Sequence, residues 1–553
     1  MTATSSKVAV SAAVVATAAT VALLAAACGD AGHDSDAASR EPTPFAAGSA
    51  ATNAPDASAE SSGAGPESEH SGNAGPNGET TTATGAAPAD PEAPSGPEPP
   101  SDPTPPPEPA DSQTAAAATR SAELEAVGLG DSFYPTLGNP GYDVSHYDID
   151  LDVDPDANSI IAATSIIAAA TERLGRFNLD FSGLEIEAVT VDGSPAAFER
   201  SGHELTVFAN SPIEPGSRFT AEIRYSGSPE PLEDPGVRFS ELGWMQRDSV
   251  IYTLNQPSGS MTWFPSNNHP LDKATYEITI TVPEGTTAAS NGLLADEFSA
   301  DGDTTFTWRM DDPMASYLAA VYIGDFERID HGELRPGGPV IRDYVPRGAS
   351  RDVVQALSVT PKVIAFLEER LGPYPFDAYG TIVMPFALGL ALENQTLSIH
   401  GIDTIGPGII AHEAAHQWWG NSVSPADWSD IWLNEGFATY LHLMFEAQHF
   451  GHDFDSLIRS HTARLTGEPP PKGITVRELF DPSVYFRGAA TLHALRRHSG
   501  DSAFWQIVRA HHDRSAGGVT DTEEFLGIVE EFAGADAVRV VEAWLYDETR
   551  PEP

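Results

Sequence analysis

The stretch Tyr147-Asp-Ile-Asp-Leu-Asp-Val-Asp154 alternates apolar residues with aspartates along its whole length. Successive side chains of a β-strand point to opposite faces, so this alternation predicts a strand with one buried face and one solvated face. The same period returns at 219–225 and 276–282, and turn clusters such as Asp192-Gly-Ser-Pro195 separate such segments. Residues 123–338 are therefore predicted to form an N-terminal β domain in which sheet packs on sheet.

The hydrophobic period changes in the C-terminal part of the chain. Ile364, Leu367 and Leu371 share one face of a helix, which is expected to stop at Gly372-Pro373 because these residues disfavour its continuation. Helical spacing returns at 525–532. Residues 339–553 are predicted to form a mostly α-helical domain with some strand, which makes the fold class α+β and multidomain.

The N-terminus has the pattern of a secretion signal. Lys7 precedes an apolar run, 8–27, which ends in small residues directly before Cys28. Residues 1–28 resemble a bacterial lipoprotein signal, which implies lipidation of Cys28. An ordinary signal peptide or an uncleaved anchor is the alternative. In each case we expect an extracytoplasmic protein, either lipid-anchored to the outer face of the cell membrane or secreted.

Composition separates a linker from the folded part and excludes several partners. Residues 29–122 are mainly Ala, Pro, Ser, Gly, Thr and acidic residues without hydrophobic periodicity, so we predict a disordered linker. The 553 residues include 80 acidic and 30 basic ones, a net charge of -50. Such a chain is not expected to bind nucleic acid, or membrane other than through an N-terminal lipid anchor. Its single cysteine excludes a disulfide scaffold and a thiolate zinc cluster.

The strongest chemical signal is Ala411-His-Glu-Ala-Ala-His416. On a helix, His412 and His416 lie on one face and can share an ion, while Glu413 points at the water bound to it. Two surface histidines beside an ion-paired glutamate would give the same pattern. A second segment that contains Glu435 favours the metal site. Two histidines and one carboxylate leave a fourth zinc position open for water, as catalytic zinc sites do. We therefore predict one Zn²⁺ ion.

At these residues the chain resembles the M1 family of zinc aminopeptidases, which are gluzincins. The motifs that carry the resemblance follow the family's order through the folded part: Gln256-Pro257, Trp263-Phe-Pro265, Asp272-Lys-Ala-Thr-Tyr276, Ser290-Asn-Gly292, Gly372-Pro-Tyr-Pro-Phe376, 412–421, 432–440 and Tyr485-Phe-Arg-Gly-Ala489. The resemblance implies a saddle-shaped β domain followed by a thermolysin-like catalytic domain. It also implies that Glu413 is the general base and that Tyr485 donates a hydrogen bond to the oxyanion.

The segment Gly389-Leu-Ala-Leu-Glu-Asn394 corresponds to the family's substrate-binding motif. The resemblance implies that Glu393, Asn394 and Gln256 bind substrate, with Glu393 on the free α-amino group and Gln256 near the same amine. The chain departs from the family at Leu390 and Leu392, where Gly and Met are usual. Larger side chains at this edge are expected to change the shape of the first substrate pocket.

These observations predict a monomeric zinc aminopeptidase that hydrolyses N-terminal residues from peptides. The chain is expected to lack the large C-terminal helical domain common in the family and to have a more open cleft. Two alternatives remain: endopeptidase or epoxide hydrolase activity on the same zinc site, and a non-catalytic peptide-binding surface lipoprotein. Other histidines such as His269 and His498 show no ligand spacing, so we expect them at the surface.

Overall fold

The computed structural model describes residues 128–552, which belong to one compact unit. The predicted signal (1–28), its Cys28 and the predicted linker (29–122) lie outside the described residues and stay predictions. Within 128–552, no helix is both long enough and apolar enough to cross a membrane.

Strands dominate the first half of the described chain. In chain order they are β1 Tyr142–Asp154, β2 Ser159–Ala170, β3 Leu174–Asp180, β4 Glu185–Val191, β5 Ser194–Pro195, β6 Ala197–Ser201, β7 Glu204–Ile213, β8 Arg218–Gly227, β9 Leu232–Asp234, β10 Val237–Arg247, β11 Val250–Leu254, β12 Lys273–Pro283, β13 Thr287–Ser290, β14 Leu293–Ala300, β15 Asp303–Ala315, β16 Val321–Gly324, β17 Phe326–Glu333 and β18 Val340–Pro346. The predicted alternation in β1 is confirmed: Ile149 and Leu151 are buried, whereas Asp150 is exposed.

These strands form an eight-stranded sheet in the order β14-β15-β12-β1-β2-β8-β4-β5. A three-stranded sheet, β3-β7-β6, packs on it through Phe177 of β3, whose ring lies 5.9 Å from Tyr142 of β1 and 5.0 Å from Phe219 of β8. A further, five-stranded sheet has the order β13-β16-β11-β10-β9. The predicted packing of sheet on sheet is therefore present, and aromatic side chains fill the interface.

Helices dominate the second half. They are α1 Arg351–Leu357, α2 Thr360–Leu371, α3 Pro407–Ala415, α4 Trp432–Phe450, α5 Phe454–Thr462, α6 Gly488–Ser499, α7 Asp501–Ser515, α8 Thr522–Ala533 and α9 Ala535–Tyr546. The short strands among them are β19 Ala378–Tyr379, β20 Thr381–Val383, β21 Ala391–Leu392, β22 Ser398–His400, β23 Ser424–Pro425 and β24 Val519–Thr520. The α+β prediction is thus confirmed, and α2 ends before Gly372 as expected.

A mixed sheet contains strands from both halves of the described chain. It has the order β17-β18-β20-β22-β21, with β19 also paired to β18. Among the described residues, its last strand, β21, pairs with β22 alone and leaves its other backbone edge unpaired. Glu393 follows β21 directly, so this sheet edge carries a predicted site residue.

One histidine prediction is wrong. His269 is 1% exposed, and its Nε2 lies 3.1 Å from Oδ2 of Asp131. The two residues are far apart in sequence, so no local spacing signals their contact. His498 is exposed as expected.

Candidate active site

The two predicted histidine ligands lie at the end of α3. Pro407 starts this helix, and its apolar residues Ile410 and Ala414 are fully buried. His412 is in the helix, whereas His416 is the first residue after it and keeps a helical backbone conformation. The His416 N–H donates to the His412 carbonyl at 3.2 Å, so the two imidazoles stay on one face.

Glu435 comes from the first turn of α4, which packs against α3. The chain reverses between these helices at Gly420, whose φ is +121°. A Cβ at Gly420 would also lie 3.3 Å from Nδ1 of His416, so this turn needs glycine. The turn brings Glu435 Oε2 to 3.2 Å from Nε2 of His412 and 3.5 Å from Nε2 of His416.

The donor set fits a zinc ion. The two imidazole Nε2 atoms lie 3.1 Å apart, and both are close to Glu435 Oε2. Donors placed tetrahedrally at zinc–ligand distances of 2.0–2.1 Å are about 3.3 Å from one another. The Nδ1 of His416 faces the Trp419 carbonyl at 3.1 Å, which favours a proton on Nδ1 and a free lone pair on Nε2. The geometry therefore agrees with a mononuclear zinc centre.

The charge of the site also favours a cation. Three buried carboxylates face the two histidines: Glu393, Glu413 and Glu435. Burial raises the pKa of Glu413 well above its usual range. Burial lowers the pKa of His416, but the charges of Glu393 and Glu435 outweigh it and raise the pKa to about 10. These shifts show that the carboxylates favour a bound cation, which is a proton in the shifts above and which a divalent ion can replace.

Glu393 lies next to the predicted base. Ligand atoms of Glu393, Glu413 and His416 all lie within 4.8 Å of one another. Gln256 donates from Nε2 to Oε1 of Glu393 at 2.6 Å, and both side chains line the same cavity as the metal-binding residues. The structure therefore brings Gln256 and Glu393 together at the site, as the sequence predicts.

Asn394 is placed differently from expectation. Its side chain is fully buried, does not line the cavity, and donates to the Tyr322 hydroxyl. We correct its predicted role as a substrate contact. The contact with Tyr322 holds this side chain in the protein interior.

Tyr485 reaches the cavity from a π-helical turn, Ser483–Arg487, just before α6. Its half-buried ring stacks on His412 with centroids 6.1 Å apart. Burial raises the pKa of Tyr485, and the charges of Glu435 and Glu393 raise it further, so the hydroxyl remains a donor. Arg487 holds the turn in place by donating to the Trp544 carbonyl at 2.6 Å.

Three polar residues that the sequence analysis did not assign a role support Glu393. Gln417 and Asn421 donate side-chain N–H groups to the Glu393 carbonyl at 3.1 and 2.7 Å. Lys273 of β12 donates to the carbonyls of Asn421 and Ser422 at 2.9 and 3.0 Å. Gln417 and Asn421 belong to the motif 412–421, but the spacing of the sequence does not show which distant groups they contact.

The cavity wall around these polar groups is mainly apolar. Leu390 and Leu392, the two departures from the family pattern, both line it, with Leu390 buried and Leu392 half-buried. The free backbone edge of β21 lies in the same wall. An extended peptide can pair with such an edge while its end reaches the polar cluster.

Comparisons with known proteins agree with this site. Residues 143–318 match the peptidase M1 N-terminal domain, and residues 355–544 match the peptidase family M1 domain. A solved M1 zinc metallopeptidase from Deinococcus radiodurans is 32% identical with a TM-score of 0.73, covering 77% of this chain and 98% of that one. The chain belongs to the M1 peptidase family, whose cofactor is a single catalytic zinc ion.

Longer relatives share the same region. Aminopeptidase M1-A of Oryza sativa is 26% identical over 79% of this chain and 53% of its own length. Aminopeptidase N of Streptomyces lividans is 25% identical over 73% of this chain and 50% of its own length. The chain thus spans about half the length of these curated relatives.

Proposed function

We propose that this chain is a zinc-dependent aminopeptidase that hydrolyses N-terminal residues from peptides. The observation that carries the proposal is the position of Glu393, a buried carboxylate that lines the cavity beside Glu413 and His416. A variant of the Deinococcus protein was solved with a Tyr-Ser-Ala substrate, and many relatives are named aminopeptidases. These similarities support peptides as the substrate class.

His412, His416 and Glu435 hold the zinc ion in this proposal. When bound, zinc polarises the scissile carbonyl and lowers the pKa of the attacking water. Glu413 accepts the proton from that water and later delivers it to the leaving nitrogen. Its position directly after His412 on α3 keeps the carboxylate beside the metal donors throughout.

Tyr485 and Glu393 position the substrate and stabilise charge. The Tyr485 hydroxyl donates a hydrogen bond to the carbonyl oxygen as negative charge develops there. Glu393 binds the protonated α-amino group, and Gln256 fixes the carboxylate by its hydrogen bond to Oε1. Because an internal peptide bond lacks this cationic group, the carboxylate selects chain ends over internal sites.

A panel of aminoacyl chromogenic substrates tests the proposal. Purified protein should release the chromophore, lose activity with a chelator and recover it when Zn²⁺ is restored. Glu413→Gln should reduce turnover by about 10²–10⁴-fold while zinc stays bound, since the amide cannot accept the proton. Undiminished turnover by this variant or by the chelated protein would refute the mechanism.

We further propose that the protein acts as a monomer outside the cytoplasm, anchored through a lipid on Cys28. The pattern of residues 1–28 supports this location, because an apolar run ends directly before the cysteine. Cys28→Ser should abolish incorporation of a labelled fatty acid into the protein. Undiminished fatty-acid labelling of Cys28→Ser would contradict lipidation at this residue.

A further inference from the structure

A second group of ligand-type side chains lies in the β domain, outside the active-site cavity. Asp180 ends β3 and stands opposite Glu204, the first residue of β7, in the antiparallel pairing of these strands. His203 precedes Glu204 in the turn between β6 and β7. Ligand atoms of the three residues all lie within 4.8 Å of one another, and none of the three lines the catalytic cavity.

Polar atoms of this group are buried without hydrogen-bond partners. Oδ2 of the fully buried Asp180 accepts from three donors: the Gly138 N–H at 3.2 Å, the Asn139 side chain at 3.2 Å and the Asn268 N–H at 2.9 Å. Its Oδ1 has no partner. Among residues 128–552, both carboxylate oxygens of Glu204, which is 4% exposed, and Nε2 of His203 also have no hydrogen-bond partner within 3.5 Å at good geometry. Unsatisfied buried polar atoms are costly, so several of them facing one another need a common explanation.

The charge of the group points to a cation. The basic nitrogen beside the two carboxylates is His203 Nε2, which lies 3.8 Å from Oε1 of Glu204. Burial raises the pKa of Asp180 to about 7, and burial together with the Asp180 charge raises that of Glu204 to about 8, while Asn178 acts in the opposite direction. Two such carboxylates are stable together only when a proton or a metal ion neutralises them.

We propose that Asp180, His203 and Glu204 bind a divalent transition-metal ion separate from the catalytic zinc. One imidazole and two carboxylates are a donor set suited to ions such as Zn²⁺, whereas Ca²⁺ and Mg²⁺ prefer oxygen ligands alone. The His203 side chain is 37% exposed although its Nε2 is buried, so the group lies just below the protein surface.

The ion has a structural role in this proposal. It ties the end of β3 to the turn between β6 and β7. Through Oδ2 of Asp180, the same site holds Gly138 and Asn139, which precede β1, and Asn268, which precedes β12. An ion that binds only the folded state stabilises it.

The zinc content of the full-length protein tests the proposal. Protein stripped with a chelator and dialysed against low micromolar Zn²⁺ should hold two ions per chain by mass spectrometry. Glu204→Gln should hold one and keep full peptidase activity, and His416→Asn should hold the other one. The double variant should hold none. Glu199→Gln, which changes an exposed acid on β6, is the matched control and should keep two.

A thermal measurement separates metal binding from a shared proton. Zn²⁺ should raise the Tm of His416→Asn and should not raise that of the double variant. One zinc ion in the wild type, or two in Glu204→Gln, would overturn the proposal. If the wild type holds one ion and His416→Asn holds none, the second metal site is refuted while the catalytic zinc site is supported. The second site and the proposed function therefore fail independently.

Discussion

The side-chain amide of Gln256 donates to Oε1 of Glu393 at 2.6 Å, and it joins the loop after β11 to the segment after β21. The Glu393 backbone is held from the other side by Gln417 and Asn421. A carboxylate fixed in this way needs little reorganisation when it meets a cationic amine. The hydrogen bond therefore couples the β domain to substrate recognition.

Replacing Gln256 by Leu should weaken substrate binding more than turnover. Loss of a hydrogen bond to a buried charge costs about 1.5–3 kcal/mol, so KM for a free-amine peptide should rise about tenfold or more, while kcat changes less. Gln506→Leu, on the exposed face of α7, is the control and should leave both constants unchanged. A fall in kcat at constant KM would assign Gln256 to the chemical step instead.

Tyr485→Phe should reduce kcat by about 10²–10³-fold and leave KM nearly unchanged, because the hydroxyl acts where charge develops. The phenyl ring preserves the stacking on His412, so folding and zinc content should not change. Tyr546→Phe removes a hydroxyl from an exposed tyrosine and serves as the control. Wild-type kcat in Tyr485→Phe would remove the residue from the mechanism.

Helix α6 approaches α4 at a contact between two glycines. A Cβ at Gly488 would lie 2.9 Å from the Gly436 Cα, which follows Glu435 directly. Gly488→Ala should lower the free energy of unfolding by about 1–3 kcal/mol, because backbone rather than a flexible side chain must shift.

The same backbone shift should reduce activity, because Tyr485 lies shortly before Gly488 and Glu435 directly precedes Gly436. Gly527→Ala is the matched control, since a Cβ in the middle of α8 meets nothing within 4 Å. It should be neutral or stabilising. Equal effects of the two substitutions in denaturant unfolding would show that the close approach is unimportant.

An ion pair between β17 and β18 should make stability depend on pH. His331 Nε2 lies 2.7 Å from Oδ2 of the buried Asp343, and this hydrogen bond raises the pKa of His331 despite partial burial. A histidine with a raised folded pKa stabilises fully below its unfolded pKa of about 6.5, and this contribution is lost as pH rises through the folded pKa.

The variant His331→Gln should therefore lose more Tm relative to wild type at pH 5.5 than at pH 9. His498→Gln changes an exposed histidine and provides the reference for general effects of the substitution. A Tm difference that is equal at both pH values, or larger at pH 9, would contradict the sign of this linkage.

Sequence patterns predicted the elements with local periodicity and missed the contacts made by distant segments. The alternation in β1 and the motif around His412 are local, so the strand and the two-histidine face could both be read directly. The burial of His269 depends on Asp131, and the Asp180–Glu204 pair depends on the register between β3 and β7. The orientation of Asn394 likewise follows from its contact with Tyr322.

The proposed mechanism requires that Glu393 selects peptides with a free N-terminus. The most direct test compares hydrolysis of one peptide with that of its N-acetylated form by the zinc-loaded protein, with mass spectrometry of the products. We expect release of the first residue from the free peptide and no cleavage of the acetylated one. Cleavage of both at the same rate, or at internal bonds, would contradict it.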